Sequence, residues 1–375
     1  MKKPIVSVVM PTYNRIEYLE EAIKSILNQS LKRLELIIVD DGSTDSSIKL
    51  IKKYAAKDPR VVYIYNKKDK GVVGASNLGI RRSKGKYIAR MDSDDISLPK
   101  RLEKEVNFLE NHPEIDACGG WVETMGKKGG KVWHITTDPD EIKCTMLFCG
   151  AVANPTSLVR RSVFFDLGIW YTAYRGIQIA EDYDFWVRLA EKAKIANIPS
   201  VVLLYRWHDT NATTSNNSAQ SKRVKHIMLR QLNKLGINPT RYEIGIHQKM
   251  GSGEYIGGGK YGIRRIGEWT DKLIMANKKT GAFPEPAFSR VANKKREEAL
   301  EIHYNYRERL TLVRLIVFFV ALGGKILRLF LSGKKVDVIY KKLQLLYEWI
   351  QEMVGSNKHS KITSKKLINN RHDNR

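Results

Sequence analysis

The chain has 375 residues, 42% of them hydrophobic, with 65 Lys+Arg against 40 Asp+Glu for a net charge of +25. That composition excludes a wholly disordered or fibrous chain, and at about 150 residues per domain the length points to two or three domains. Three cysteines, Cys118, Cys144 and Cys149, are too few for a disulfide framework, form no Cys-x-x-Cys pair and fit a reducing compartment.

Lys2 and Lys3 precede an apolar stretch, but residues 5–10 (IVSVVM) stop at Pro11. This is shorter than the ~7–15-residue apolar core of a secretory signal and reads as a buried strand. Apolar groups at Ile16, Leu19, Ala22, Ile23, Ile26 and Leu27 have helical spacing over 15–29. Residues 34–39 (LELIIV) form a second strand, and Ser43 or Thr44 caps a helix over 48–54. A strand over 61–65, a loop and helix over 71–82 and a strand over 87–91 follow. Short apolar strands alternating with helices predict an α/β fold with a parallel sheet covered on both faces. Ligands then bind beyond the carboxyl ends of the strands, at the turns after Met10, Val39 and Met91. Beyond these come a helix from Pro99 to about Asn111, short strands and turns over 115–160, a helix over 183–193 and a strand over 201–206. The polar run 210–221 ends the first domain. From 222 the pattern is helical and basic, interrupted by a glycine-rich stretch at 251–262, and there is no internal repeat.

Three acidic motifs fall at these turns. VDDGSTD (39–45) follows a strand, and its adjacent carboxylates suit recognition of a base or ribose; they equally suit a helix cap. In DSDD (92–95), Asp92 and Asp94 can face one hard cation, Mg²⁺ or Mn²⁺, which also takes diphosphate oxygens; a solvated turn before Pro99 is the alternative. EDYDFW (181–186) opens a helix, where a carboxylate is either a cap or a general base. His208, after the 201–206 strand, is either structural or a further metal ligand.

Six segments in register resemble a family 2 glycosyltransferase of the GT-A fold. They are VVMPTYNR (8–15), IIVDDGSTD (37–45), GVVGASNLGIRRSKGKYIARMDSDD (71–95), LPKRLEKEVNFLENHPE (98–114), EDYDFWVRL (181–189) and LLYRWHDTNAT (203–213), and together they cover roughly residues 4–214. The resemblance implies a Rossmann-like, mostly parallel sheet with flanking helices and an inverting sugar transfer from a nucleotide donor, most often a UDP-sugar. It places Pro11, Thr12 and Tyr13 on the uracil and makes Asp41 the uracil-reading carboxylate, with Asp40 beside it. Arg90, Asp92 and Ser93 lie along the ribose and diphosphate, and Arg15 and Asn77 count with the donor-binding residues. It assigns the metal, Mn²⁺ or Mg²⁺, to Asp94 with Asp92, and to His208 in some members. Asp182 is the implied base, with Glu181 as the alternative.

The charge gathers at the back of the chain: residues 221–375 hold 32 Lys+Arg and 13 Asp+Glu, +19, against +6 for residues 1–220. Such a cation seeks phosphate on nucleic acid or on an anionic membrane. In 307–331 the uncharged run 315–324 is shorter than the ~20 residues a spanning helix needs. Arg307, Arg314, Lys325 and Arg328 fall within roughly 60° at ~100° per residue, a basic stripe on an apolar helix that suits a membrane interface. A second amphipathic candidate covers 336–354, and an ordinary helical subdomain is the bland alternative. The expected division is a catalytic domain at 1–214, a helical and loop extension at 215–300 and a membrane-associating region at 301–375. The expected partners are a UDP-sugar, a saccharide or lipid-linked oligosaccharide acceptor of bacterial surface-polysaccharide assembly, and an anionic membrane met through 307–354. A second copy of the chain is a further candidate. The expected location is the cytoplasmic face of the inner membrane. A nucleic-acid binder is disfavoured because the basic residues interleave with aliphatics rather than stacking aromatics. An inactive scaffold is disfavoured by intact Asp41, Asp92, Asp94 and Asp182. Trp121, Trp133 and Trp170 are candidates to stack on an acceptor sugar or to pack a core.

Overall fold

The computed structural model describes residues 3–67, 71–127, 129–209 and 217–307. Met1–Ala299 form one compact unit and Leu300–Arg375 a second. Within the first unit the chain opens as β1 (Val6–Thr12), α1 (Ile16–Leu27), β2 (Leu34–Asp40), α2 (Ser47–Lys57), β3 (Val61–Tyr65), α3 (Val72–Arg82) and β4 (Tyr87–Arg90). These are the expected elements, and β1 pairs in parallel with β2 and β4, as β2 does with β3. The period-2 rule accounts for the burial. Val6, Val8 and Met10 pack with Leu19, Ala22, Ile23 and Ile26 of α1, whereas Val9 faces the core shared with Ile80 of α3. Gly79 sets the seating of α3, because a Cβ there would stand 2.5 Å from Val9 Cγ1 and 3.0 Å from Val39 Cγ2. The strand order β3-β2-β1-β4 reverses direction at β1. This is a topological switch point, and it opens a crevice beyond the carboxyl ends of β1 and β4.

The sheet continues through β5 (Ile96–Ser97), β6 (Ala117–Gly126), β8 (Leu158–Arg160) and β9 (Ile195–Trp207) in the order β4-β8-β6-β9-β5, with β7 (Val132–Trp133) paired to β6. It is therefore mixed: β8 runs antiparallel to β4 and β6, and β6 runs parallel to β9. β6 and β9 are longer than the sequence pattern implies. Gly120 pairs with Ile198 and Trp121 with Val201, so Pro199 and Ser200 form a bulge that joins two apolar runs into one strand. A proline without an N–H is tolerated there. The helices α4 (Arg101–Asn111), α5 (Pro139–Thr145), α6 (Arg161–Phe165) and α7 (Glu181–Ala190) cover this half.

Past residue 216 the chain is helical, as expected: α8 (Asn217–Lys234), α9 (Arg241–Ser252), α10 (Lys260–Thr280) and residues 287–299. α8 begins inside the polar run read as a linker. α9 opens with a Thr240/Glu243 capping box and ends at left-handed Gly253, where the glycine-rich stretch separates it from α10. Among the described residues no helix is long and apolar enough to cross a membrane. Arg314, Lys325 and Arg328 of the basic stripe, and the amphipathic candidate 336–354, lie outside the described residues.

Candidate active site

The crevice is built from strand ends clasped to one another. The Asp41 N–H donates to the Thr12 carbonyl at 2.9 Å, and Asn14, left-handed at φ 50°, accepts from the Thr44 N–H at 2.8 Å. The two aspartates of VDDGSTD differ sharply. Asp40 is fully buried and accepts from the N–H groups of Gly42 (3.3 Å) and Ser43 (3.2 Å), so it caps its own turn. The Asp41 carboxylate reaches outward to Asn66 Nδ2 at 2.7 Å and the Gly71 N–H at 2.6 Å. Pro11 is half-buried at the end of β1, and Tyr13 beyond it is 55% exposed, open to stacking. Thr12 Oγ1, between them in the chain, is buried without a partner.

Arg90 closes the floor. It is buried, its Nη1 donates to the Val9 and Met91 carbonyls, and its Nη2 meets Asp92 Oδ1 at 3.2 Å. Asp92 keeps 36% of its side chain open, but protein walls surround it. Desolvation raises its pKa, opposed by Arg90 and reinforced by Asp94 and Asp182. Ser93 beside it is buried. Asp94 Oδ2 receives both Arg15 Nε at 3.3 Å and His208 Nε2 at 3.1 Å. The His208 ring stacks on Tyr18, with centroids 4.8 Å apart. The structure thus brings Arg15 and His208 together on Asp94, with Asp92 two residues before it on Arg90.

Glu181 and Asp182 open α7 after Ala180, a non-glycine residue in the left-handed region at φ 58°. Asp182 Oδ1 accepts its neighbour's Tyr183 N–H at 2.7 Å. Burial, then the adjacent Asp182, push Glu181 up to about 8, and burial also raises Asp182. Two carboxylates side by side titrate as a pair, and one holds a proton near neutrality. Asn77 is engaged with the backbone. Its amide donates to the Tyr171 carbonyl (2.9 Å) and accepts from the Tyr171 N–H (3.2 Å), anchoring the chain that leads to α7.

Three residues with no assigned role in the sequence reading support the site. Asp95 is 1% exposed, and its Oδ1 accepts from the Arg206 N–H at 2.9 Å. That bond ties β9 to the DSDD turn and so delivers His208. Desolvation, with Asp92 and Asp94, raises the Asp95 pKa well above the carboxylate range. Arg101 is buried, bonds Glu105 and donates to the Arg90 carbonyl at 2.8 Å from below. Its i,i+4 spacing to Glu105 was the available signal. Buried Arg223 of α8 gave no such signal; it bonds the chain ahead of α7. Of the tryptophans, Trp121 Nε1 donates to the Ile135 carbonyl, Trp133 is 37% exposed beside Tyr205, and Trp170 packs on Phe164.

Residues 7–168 match the model of Glycosyl transferase family 2. An uncharacterized glycosyltransferase of Haemophilus influenzae is 32% identical over 249 residues, 63% of this chain and 76% of that protein. One of Methanocaldococcus jannaschii is 36% identical over 212 residues, 55% of this chain and 72% of that protein. Among solved structures, S. aureus TarS 1–349 in complex with UDP-GlcNAc has a TM-score of 0.53 at 18% identity, over 81% of this chain and 91% of that one. The TarS likeness speaks for the fold, which is GT-A, with its mostly parallel first half extended by β8, β6, β9 and β5. Two relatives above 30% identity, each matched over more than two-thirds of its length, make this chain a member of glycosyl transferase family 2 and a glycosyltransferase.

Proposed function

We propose that the chain moves a sugar from a UDP-sugar to a hydroxyl of a saccharide or lipid-linked acceptor, with inversion at the anomeric carbon. One observation carries this reading: Asp94 of the turn after β4 receives Arg15 at 3.3 Å and His208 at 3.1 Å while Asp92 meets Arg90 at 3.2 Å, and the charge of Asp182 at the start of α7 acts on Asp92. In this reading a candidate cation-binding turn and a candidate base share one crevice. The TarS complex with UDP-GlcNAc, on the same fold, supports a uridine nucleotide.

In this reading Thr12, Tyr13 and Asp41 receive the uridine, and Arg90 holds Asp92 in place beneath the diphosphate. The donors Asp94, Asp92 and His208 fit a hard divalent cation, Mn²⁺ or Mg²⁺. Among the described residues no group of three or more acidic, histidine or cysteine side chains is assembled to hold a metal ion, so in this reading donor oxygens would have to supply the rest of the shell. When bound, the ion stabilises the negative charge that builds on the departing diphosphate. Asp182, with Glu181 as the alternative, takes the proton of the acceptor hydroxyl as that oxygen attacks C1 from the face opposite the nucleotide. A base with a raised pKa retains the drive to abstract that proton, a contribution of about 10²–10⁴ in rate.

Calorimetric titration with UDP, with and without Mn²⁺, on wild type and Asp94→Ala tests the reading. The expected result is metal-dependent UDP binding that the substitution abolishes. Absence of UDP binding by the wild type, with or without Mn²⁺, would sink it.

A further inference from the structure

Helix α8 lies beyond the segment that matches the family model, yet it reaches the loop that presents the carboxylate pair. Arg223 is 1% exposed. Its Nη1 donates to the Ile177 carbonyl at 2.6 Å, and its Nη2 donates to the Thr172 carbonyl. One rigid fork thereby ties two points of the chain five residues apart, just ahead of α7. The same Nη2 stands 3.7 Å from Asp184. Asp184 also receives Arg188 Nε and Arg230 Nη1, each at 2.8 Å, and the Thr172 hydroxyl. Three guanidinium groups thus surround one carboxylate, and after Asp184 itself Glu181 and Asp182 are the carboxylates whose charge acts on Arg223.

The loop so held is not a relaxed one. Arg175 (φ 49°) and Ala180 (φ 58°) occupy the left-handed region without being glycine. Such residues persist where surrounding contacts over-determine them, and they cluster at functional sites. Arg223 Nε and Arg230 Nε and Nη2 are buried without partners, a cost that a purely structural helix contact would avoid with an apolar side chain.

We propose that Arg223 is a positioning residue: it locks the 172–180 loop in the conformation that aims Glu181 and Asp182 into the crevice, making helix α8 a working part of the catalytic site. The inference rests on reading that pair as the base.

The test uses the full chain as wild type, Arg223→Gln and Arg223→Lys. It combines hydrogen exchange over residues 171–182, UDP affinity by calorimetry with Mn²⁺, and steady-state UDP release from UDP-sugars. In Arg223→Gln, exchange over 172–180 should quicken by about tenfold or more while β1 and β4 stay protected. UDP affinity should hold within about twofold, and kcat should fall by about 10²-fold with little change in KM, because misaimed groups cost rate rather than binding. Lysine, which keeps the charge but not the planar fork, should restore part of both. Unchanged exchange over 172–180 would overturn the inference, as would loss of protection throughout the sheet, or a fall in kcat that the loosened loop does not accompany. A wild-type chain that binds no UDP would defeat the functional reading separately, and the exchange result would still decide the role of Arg223.

Discussion

Replacing Glu181 by glutamine should stabilise the protein, and the gain should depend on pH in one direction. Burial and the adjacent Asp182 lift Glu181 from an ordinary 4.5 to about 8. A carboxyl whose folded pKa is raised binds protons more tightly in the native state than in the unfolded one. The native state is therefore undisturbed below pH ~4.5 and loses stability as the pH climbs toward 8. At about 1.4 kcal/mol per unit the full shift corresponds to roughly 5 kcal/mol. The carboxylates share that shift and cleft water screens it, so about 1–3 kcal/mol is the expected net effect.

Glutamine keeps the shape and removes the ionisation. Its stabilising effect should be small at pH 5, grow through pH 8 and level off above, with roughly 2–4 °C in Tm for each kcal/mol. Calorimetric melts of wild type and Glu181→Gln from pH 5 to 9 would show a gap that widens with pH. A gap of constant size, or a variant less stable than wild type at pH 8.5, would refute the argument that this carboxyl is held against its own ionisation. Comparing UDP release by Glu181→Gln and Asp182→Asn then identifies the base, since the one that accepts the proton should lose about 10²–10⁴ in kcat.

Asp41→Ala should leave the Asn66 amide and the Gly71 N–H without their carboxylate and weaken UDP binding by about 10–100-fold, at the ~1.5–3 kcal/mol typical of charged hydrogen bonds; unchanged affinity in calorimetry would remove Asp41 from the nucleotide site. Arg101 and Glu105 are a fully buried ion pair. Arg101→Met should cost about 3–5 kcal/mol in urea unfolding, because it strands a buried carboxyl and the Arg90 carbonyl. Glu105→Gln should cost less, because burial already pushes Glu105 up to about 7, close to neutral form. The reverse order of costs would show that the carboxylate charge, not the guanidinium, holds that layer.

The legible parts of this molecule are those whose signal is local. β1 to β4 read directly from the sequence because each is a short apolar run with a turn and an amphipathic helix beside it, and β1, β2 and β4 are buried along nearly their whole length, as strands covered on both faces are. β6 and β9 did not, because their pairing depends on a bulge at Pro199 and Ser200 that only the partner strand reveals. The polar run before α8 hid a helix start for a similar reason. Its first turn is composed of residues that favour caps and loops, and Ile227 and Leu232, deeply buried farther along α8, overrule that preference.

The site divides along the same line. Carboxylates at strand ends stand out in a sequence because an acidic pair after an apolar strand needs a reason, so Asp41, Asp92, Asp94 and Asp182 were all visible. What each does with its oxygens was not. Adjacent Asp40 and Asp41 take opposite parts, one spent on the N–H groups of its own turn and the other reaching across to residues 66 and 71. Backbone direction at the end of β2 decides between them, not composition. Asn77, counted with the donor-binding residues, bonds the Tyr171 backbone 94 residues away, a contact the sequence did not show. Asp95 and Arg223 could not be read at all, since a buried aspartate in an acidic turn and an arginine in a basic helix look ordinary in one dimension. Supporting groups of this kind act through contacts distant in sequence, so a motif names the groups that meet the substrate while the fold alone names those that hold them in place. Such supports need not lie in the matched segment: the family match ends at residue 168, the carboxylate pair begins at 181, and the guanidinium that braces the chain ahead of it is at 223.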